Sequence, residues 1–240
     1  MKSAPLIFLG ILLGLAGSWW GMVVGPKLQL GSASAVEVKG SSVHYPPVRP
    51  GLAKQGAEIY RREGCNACHS QLVRPAGFGF DLGLGWGPRR TVGQDYLRDD
   101  PVMLGHVRVG PDLANIGLRL GAGDTNAQPT MVAYQLRHLY DPRGAMPGSI
   151  MPAYRHLFRL QPIEGQRSPD ALNLNGPAAP PEGFQVVPTD EAKALMAYLL
   201  SLQSPVSLKE APILSRPGEE SEEEEEEATN DVAEVAILTR

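Results

Sequence analysis

The sequence predicts a mainly α-helical protein, in which one domain lies between an apolar amino-terminal helix and a disordered acidic tail. Residues 6–24 are apolar and uncharged, and apolar residues recur at helical spacing over residues 189–202. Residues 217–240 contain ten acidic residues and one basic residue, a composition typical of disordered chain. We therefore divide the chain into an anchor (1–26), a linker (27–50), a domain (51–205) and a tail (206–240).

The amino-terminal run is long enough to cross a membrane once. Its 19 residues, 6–24, span roughly 28 Å as a helix, close to the hydrocarbon thickness of a bilayer. A cleaved signal peptide is the alternative, with a cleavage site at Ala33-Ser34-Ala35, but the run is long for such a peptide and polar residues separate the two. Lys2 and the Trp19-Trp20 pair predict a cytoplasmic amino terminus. The domain is then expected on the periplasmic side of the inner membrane, held by a single-pass anchor.

The charge distribution does not point to nucleic acid. The formal net charge is −4, yet residues 1–216 hold 21 basic and 16 acidic residues because the acid is concentrated in the tail. This mild positive excess, without a basic cluster interleaved with aromatic residues, predicts no nucleic-acid partner.

Within the domain, helices are predicted at residues 51–62, just after residues 110–113, and at residues 129–140 and 189–202. Thr189 is placed to cap the last of these, with two acidic residues in its first turn. The glycine-rich residues 70–110 and residues 144–154 are predicted to be loops. Residues 159–188 contain six prolines and are predicted to form a loop excursion on the surface.

Cys65-Asn66-Ala67-Cys68-His69 is a Cys-x-x-Cys-His pentapeptide, the attachment signal of a c-type haem. The two thiols add to the vinyl groups of haem, and the histidine becomes an axial iron ligand. A structural disulfide, a redox pair and half of a zinc site are the alternatives. The chain has no further cysteine for a zinc site, and the residues downstream lack the βαβ context of a redox motif. The motif therefore predicts one covalently bound haem c.

The sixth position of the iron decides what such a haem does. The methionines and histidines after the motif are candidates: Met103, Met131, Met146, Met151, Met196, His106, His138 and His156. Those in predicted helices are more often core residues, whereas Met146 and Met151 lie in a loop and each precedes a proline that fixes its position. We expect His69 and Met151 to be the axial ligands, with Met146 in reserve. An iron with both positions filled transfers electrons and does no chemistry on substrates.

Four arginines are candidates to bind the haem propionates, because a guanidinium matches carboxylate geometry. They are Arg74, Arg89, Arg90 and Arg143. A solvated surface arginine is the alternative for each.

Four segments occur in the order GCNACHSQLVRP (64–75), GPDL (110–113), HLYDPR (138–143) and MPAY (151–154). Together they resemble the mono-haem cytochrome c subunit (subunit II) of cbb3-type cytochrome c oxidases, over roughly residues 51–158 together with the anchor and the last helix. The haem motif alone would indicate only a cytochrome c. The residues that extend it are more specific to this family. Residues 76–84, the 159–188 excursion and the glutamate-rich tail depart from the family pattern.

The resemblance implies a cytochrome c-like haem domain attached through Cys65 and Cys68, with His69 and Met151 on the iron. It places Pro111 beside His69, its carbonyl accepting a hydrogen bond from the imidazole. The chain would be no enzyme: it would take electrons from a di-haem cytochrome c subunit and pass them to the haem b of the catalytic subunit. Two other hypotheses stay open, a free-standing anchored cytochrome c and a haem enzyme or gas sensor with an open sixth position.

Overall fold

The structure, a computed structural model, describes residues 3–31, 33–38 and 42–213. Helix is the main regular structure in these residues, as predicted. The α-helices are α1 (Ala4–Trp19), α2 (Gly25–Leu30), α3 (Gly51–Arg62), α4 (Ile116–Arg119), α5 (Ala127–Tyr140), α6 (Pro142–Ala145) and α7 (Asp190–Ser201). Two antiparallel pairs of short strands accompany them: β1 (Val36–Glu37) with β2 (His44–Tyr45), and β3 (Phe158–Pro162) with β4 (Phe184–Pro188).

The amino-terminal helix extends further than predicted. A π-helical turn, Trp20–Val24, joins α1 to α2 without a break, so one helix runs through Pro26. The wider π turn accommodates the missing proline N–H. Ala4–Gln29, 26 residues, is long and apolar enough to cross a membrane, and no part of its apolar window is buried against the rest of the described protein. Lys2, used to predict orientation, lies outside the described residues.

The core of the domain forms around the crossing of α3 and α7, the most extensive contact between two helices in the described chain. The helices meet at Gly56, whose neighbours across the interface are the Ala194 carbonyl and the Tyr198 side chain. Thr189 caps α7 as predicted, accepting a hydrogen bond from the Ala192 N–H at 3.3 Å. The two helices join the beginning of the domain to its end.

Parts of the predicted linker and tail belong to the domain. Tyr45 is buried in a small second cluster with Val92, Leu208 and Ala211, and its hydroxyl donates to Asp95 at 2.8 Å. The prediction of a linker up to residue 50 and of a disordered tail from residue 206 was therefore wrong at these positions. Each segment is too short to show a period, and its burial depends on residues far away in the sequence. The glutamate-rich segment lies outside the described residues.

The prediction of a surface excursion over residues 159–188 was also wrong. Its two ends pair as strands, in a register from Phe158 opposite Pro188 to Pro162 opposite Phe184. Val186 of β4 and Leu172 from the connecting segment are buried in the main core. Two of the prolines lie at strand ends, where the missing N–H removes no hydrogen bond between the strands. The number of prolines therefore did not exclude a hairpin.

The crossing at Gly56 predicts a strong effect of one methyl group. A Cβ at this position would overlap the Ala194 carbonyl and lie 2.7 Å from the Tyr198 Cβ. We expect Gly56→Ala to destabilise the domain by about 1–3 kcal/mol, the usual cost of overpacking a core, and to lower the Tm of the full chain in detergent. Gly51→Ala in the same helix meets no atom within 4 Å and is the control. Equal Tm values for the two variants would contradict a tight crossing.

Candidate functional site

A cavity of about 390 Å³ brings the motif together with residues from the rest of the domain. Cys65, Cys68 and His69 line it with Met146 and Met151. Apolar side chains complete the lining, among them Leu113, Ile116, Leu139, Leu195 and Leu199. A smaller, more polar cavity of about 230 Å³ lies between residues 45–50, residues 91–99 and the end of α7, and contains none of the motif residues.

The motif begins with a sharp turn after α3. Gly64 has φ of +71°, a conformation that suits glycine because it has no Cβ, and Cys65–Ala67 forms a single 3-10 turn. The His69 N–H then donates to the Cys65 carbonyl at 2.9 Å. Cys65 and Cys68 are not joined by a disulfide, which was one of the alternatives for the motif. Burial, and next the neighbouring Glu63, raise the pKa of the Cys65 thiol to about 11, so this thiol is neutral at the cavity wall.

The His69 ring is held by one hydrogen bond and one close contact. Its Nδ1 lies 2.8 Å from the Pro111 carbonyl oxygen. Because a carbonyl only accepts, Nδ1 carries the proton and Nε2 keeps a lone pair available to a metal. Gly110 lies against the ring, and a Cβ there would be 2.7 Å from Nδ1. The structure thus has the contact between Pro111 and His69 that the family resemblance implied.

The two loop methionines differ in burial. Met146 is 52% exposed, whereas Met151 is half-buried and packs against the main core. The Met151 N–H donates to the Ser149 hydroxyl at 3.3 Å, and the Tyr154 N–H donates to the Leu139 carbonyl at 2.9 Å, which ties this loop to α5. Both thioethers can reach the cavity, and the packing favours Met151 as the sixth ligand.

The other candidate ligands lie elsewhere, apart from His138. Met103 and Met196 are core residues, Met131 and His106 are exposed, and none of the four lines the cavity. His156 is exposed and bonds Glu63 at 2.8 Å.

His138 lines the cavity from α5, and its Nδ1 is buried without a hydrogen-bond partner. Burial, and next His69, lower the pKa of this imidazole, which favours its neutral form. His138 is thus the one histidine among the sequence candidates for the sixth position that lines the cavity.

The arginines proposed for the propionates do not line the cavity. Arg74 pairs with Asp81 at 2.8 Å, and Arg143 is exposed. Arg89 pairs with the buried Asp95 at 2.7 Å, and Arg90 donates to the Glu210 carbonyl at 2.5 Å. These contacts give no support to a propionate-binding role for the four.

Arg119, which sequence reasoning missed, does not line the cavity either, but it differs from these four in its hydrogen bonding. One of its terminal nitrogens, Nη2, donates to the Asp112 carbonyl. The other, Nη1, is buried and has no hydrogen-bond partner in the part of the chain that the structure describes. Burial lowers the pKa of this guanidinium, and no carboxylate side chain forms an ion pair with it among the described residues. Its spacing of three residues from Ile116, which lines the cavity, is the only signal that could have found it.

These side chains fit a haem. Two thiols and an imidazole with a free Nε2 stand on one part of the lining, two thioethers on another, and apolar residues between them. A glycine leaves room for the imidazole. Outside the lining, three residues from Ile116, the Arg119 guanidinium has a buried nitrogen without a partner among the described residues, which suits an anion such as a propionate. Thiol, imidazole and thioether are the donor types that would hold a c-type haem.

Comparison with protein families agrees with this donor set. The family model described as cytochrome c oxidase, mono-heme subunit/FixO, matches residues 24–175, more than half of the chain. A comparison with curated proteins finds no match.

The contact between Gly110 and His69 predicts that this glycine is needed for the proximal bond. A methyl group there would push the ring away from the Pro111 carbonyl. We expect Gly110→Ala to destabilise the haem-loaded protein by about 1–3 kcal/mol and to convert part of the ferric low-spin absorption spectrum to high spin. Gly51→Ala is again the control. A variant with the parent's spectrum and Tm would show that the ring can move at no cost.

Proposed function

The chain belongs to the FixO family of mono-haem subunits of cytochrome c oxidase, and we propose that it is the membrane-anchored electron relay of a cbb3-type oxidase. Family membership implies one haem and an oxidase as the assembly in which it works. The observation that carries the relay role is the shared cavity, which places His69 and the two loop methionines around the same volume. An iron with both axial positions filled accepts and donates electrons but leaves no position open for a substrate.

Each site residue has a distinct part in this proposal. Cys65 and Cys68 would hold the haem covalently, and His69 would bind the iron through Nε2. The Pro111 carbonyl fixes the tautomer of His69 and raises its basicity. Met151 would supply the thioether ligand to the iron. When bound, the haem supplies a one-electron iron couple, and a Met/His pair raises its reduction potential above that of a bis-His haem.

The apolar lining keeps water from the iron. Leu139 of α5, Leu195 and Leu199 of α7, and Leu113 from the loop before α4 line the cavity. Low polarity around a haem disfavours the extra positive charge of the ferric state, which also raises the potential. The ligand set and the apolar packing would thus both raise the reduction potential of the haem, which suits transfer of electrons to an oxygen-reducing partner.

We propose that electrons enter from a di-haem cytochrome c subunit and leave to the haem b of the catalytic subunit, where oxygen is reduced. The helix Ala4–Gln29 would anchor the chain in the inner membrane, with the haem domain on the periplasmic side, where c-type haem is attached. A free-standing anchored cytochrome c would have the same haem residues. Co-purification of a large membrane subunit with the tagged chain supports the oxidase role, whereas isolation of the chain alone in mild detergent supports the free-standing one.

The choice of Met151 as sixth ligand is tested by Met151→Leu, with Met146→Leu as the matched control from the same loop. The parent ferric protein should show the weak long-wavelength band of methionine-to-iron coordination. We expect Met151→Leu to lose that band completely and its ferrous form to bind carbon monoxide, because the sixth position becomes open. Met146→Leu should behave as the parent.

The opposite pattern in these two variants would make Met146 the ligand. A parent protein that lacks the band and binds carbon monoxide readily would overturn the relay proposal in favour of an enzyme or sensor with an open iron.

The unpartnered nitrogen of Arg119 predicts a role in holding a haem propionate. Removing this buried positive charge should stabilise the ferric haem, so Arg119→Gln should lower the reduction potential measured by redox titration. Arg74→Gln and Arg143→Gln, at the positions that the sequence suggested, should leave the potential close to that of the parent. If the reduction potential fell in either control but not in Arg119→Gln, the propionate would instead be bound by Arg74 or Arg143.

A further inference from the structure

The hydrogen bond between His69 and Pro111 is flanked by two backbone hydrogen bonds, which join the segment around His69 to the segment around Pro111. Before the proline, the Gly110 N–H donates to the Cys68 carbonyl at 3.0 Å. After it, the Leu113 N–H donates to the Ser70 carbonyl at 2.7 Å. The neighbours of the iron ligand are thus bound to the neighbours of its acceptor, and Pro111, which has no N–H, depends on these flanking contacts for its orientation.

Asp112 completes this arrangement from the next position in the chain. Its side chain is fully buried, with 0% exposure. One carboxylate oxygen, Oδ2, accepts from the Ser70 hydroxyl at 2.6 Å and from the Leu72 N–H at 2.7 Å, while Oδ1 accepts from the Ala114 N–H at 2.8 Å. One side chain therefore joins the segment that leaves His69 to the segment that contains Pro111.

Two arginines compensate the buried charge of Asp112. The Arg108 guanidinium approaches its carboxylate at 4.0 Å, donates to the Leu72 carbonyl and pairs with the buried Asp81 at 2.6 Å. On another side, Arg119 donates to the Asp112 backbone carbonyl. Nearby cations and three hydrogen bonds stabilise a charge that would otherwise be expensive to bury. Neither contact neutralises it by a close ion pair with the carboxylate.

We propose that Asp112 is a positioning residue for the proximal ligand and that its buried negative charge lowers the reduction potential of the haem. This inference rests on the proposed function, because it requires a haem on His69. The carboxylate keeps the Pro111 carbonyl on Nδ1 of His69, which maintains the basicity of the ligand. Its negative charge, close to the ligand and away from water, favours the ferric state. Both effects act in the same direction.

The test is a redox titration of the haem in the purified full chain, with three variants. Asp112→Asn keeps the shape but removes the charge and should raise the potential. Ser70→Ala removes one of the three hydrogen bonds that compensate the carboxylate charge, while the Leu72 and Ala114 N–H groups still hold the side chain in place. The less compensated charge should lower the potential. Asp95→Asn is the matched control: Asp95 is a buried carboxylate that also accepts hydrogen bonds from backbone and arginine, but on the side of the domain with Arg89 and Tyr45. It should leave the potential unchanged.

Opposite shifts in Asp112→Asn and Ser70→Ala support the inference, since a general loss of structure would not produce opposite signs. Potentials equal to that of the parent in both variants, or one common shift in all three, overturn it. If Asp112→Asn yields no folded haem protein, Ser70→Ala decides alone: a fall supports the inference and an unchanged value overturns it. A parent chain without covalently bound haem would instead overturn the proposed function.

Discussion

The contact between α3 and α7 at Gly56 is the constraint on which the haem site depends. A residue without a Cβ lets the two backbones approach closely, and the helices then hold the two ends of the domain together. The haem motif begins three residues after α3 ends, so the position of α3 sets where Cys65 and His69 lie. Leu195 and Leu199 of α7 form part of the cavity lining. A larger residue at Gly56 would separate the motif from the surface that encloses it.

On this frame, the proximal side is built mainly by backbone groups. Pro111 offers only a carbonyl, Gly110 offers space, and the hydrogen bonds around them join two stretches of loop some forty residues apart. Loops without a regular ladder need side chains to satisfy their N–H groups. Asp112 does this with both carboxylate oxygens, which is why a charged residue is fully buried beside an otherwise apolar cavity. The distal side, in contrast, depends on side-chain packing of the methionine loop.

Most helices could be predicted from local pattern. The sequence placed a helix at residues 51–62 and one at residues 189–202, close to the observed Gly51–Arg62 and Asp190–Ser201. The helix predicted to start at Pro129 begins at Ala127, because the Asp124 carboxylate accepts from the N–H groups of residues 126 and 127. That cap lies outside the apolar period and was missed. Local periodicity thus located helices well and their beginnings less well.

The sequence by itself determined the apolar amino-terminal helix, the haem motif, the family and the loop methionines, because each is encoded in neighbouring residues. Only the tertiary structure placed Tyr45 and Leu208 in one cluster, paired β3 with β4, and separated Arg74 from the cavity while leaving Arg119 with a buried free nitrogen. These outcomes depend on partners that are distant in the sequence. The type of a residue states which bonds it can form, and the packing of the whole chain decides which partner it meets.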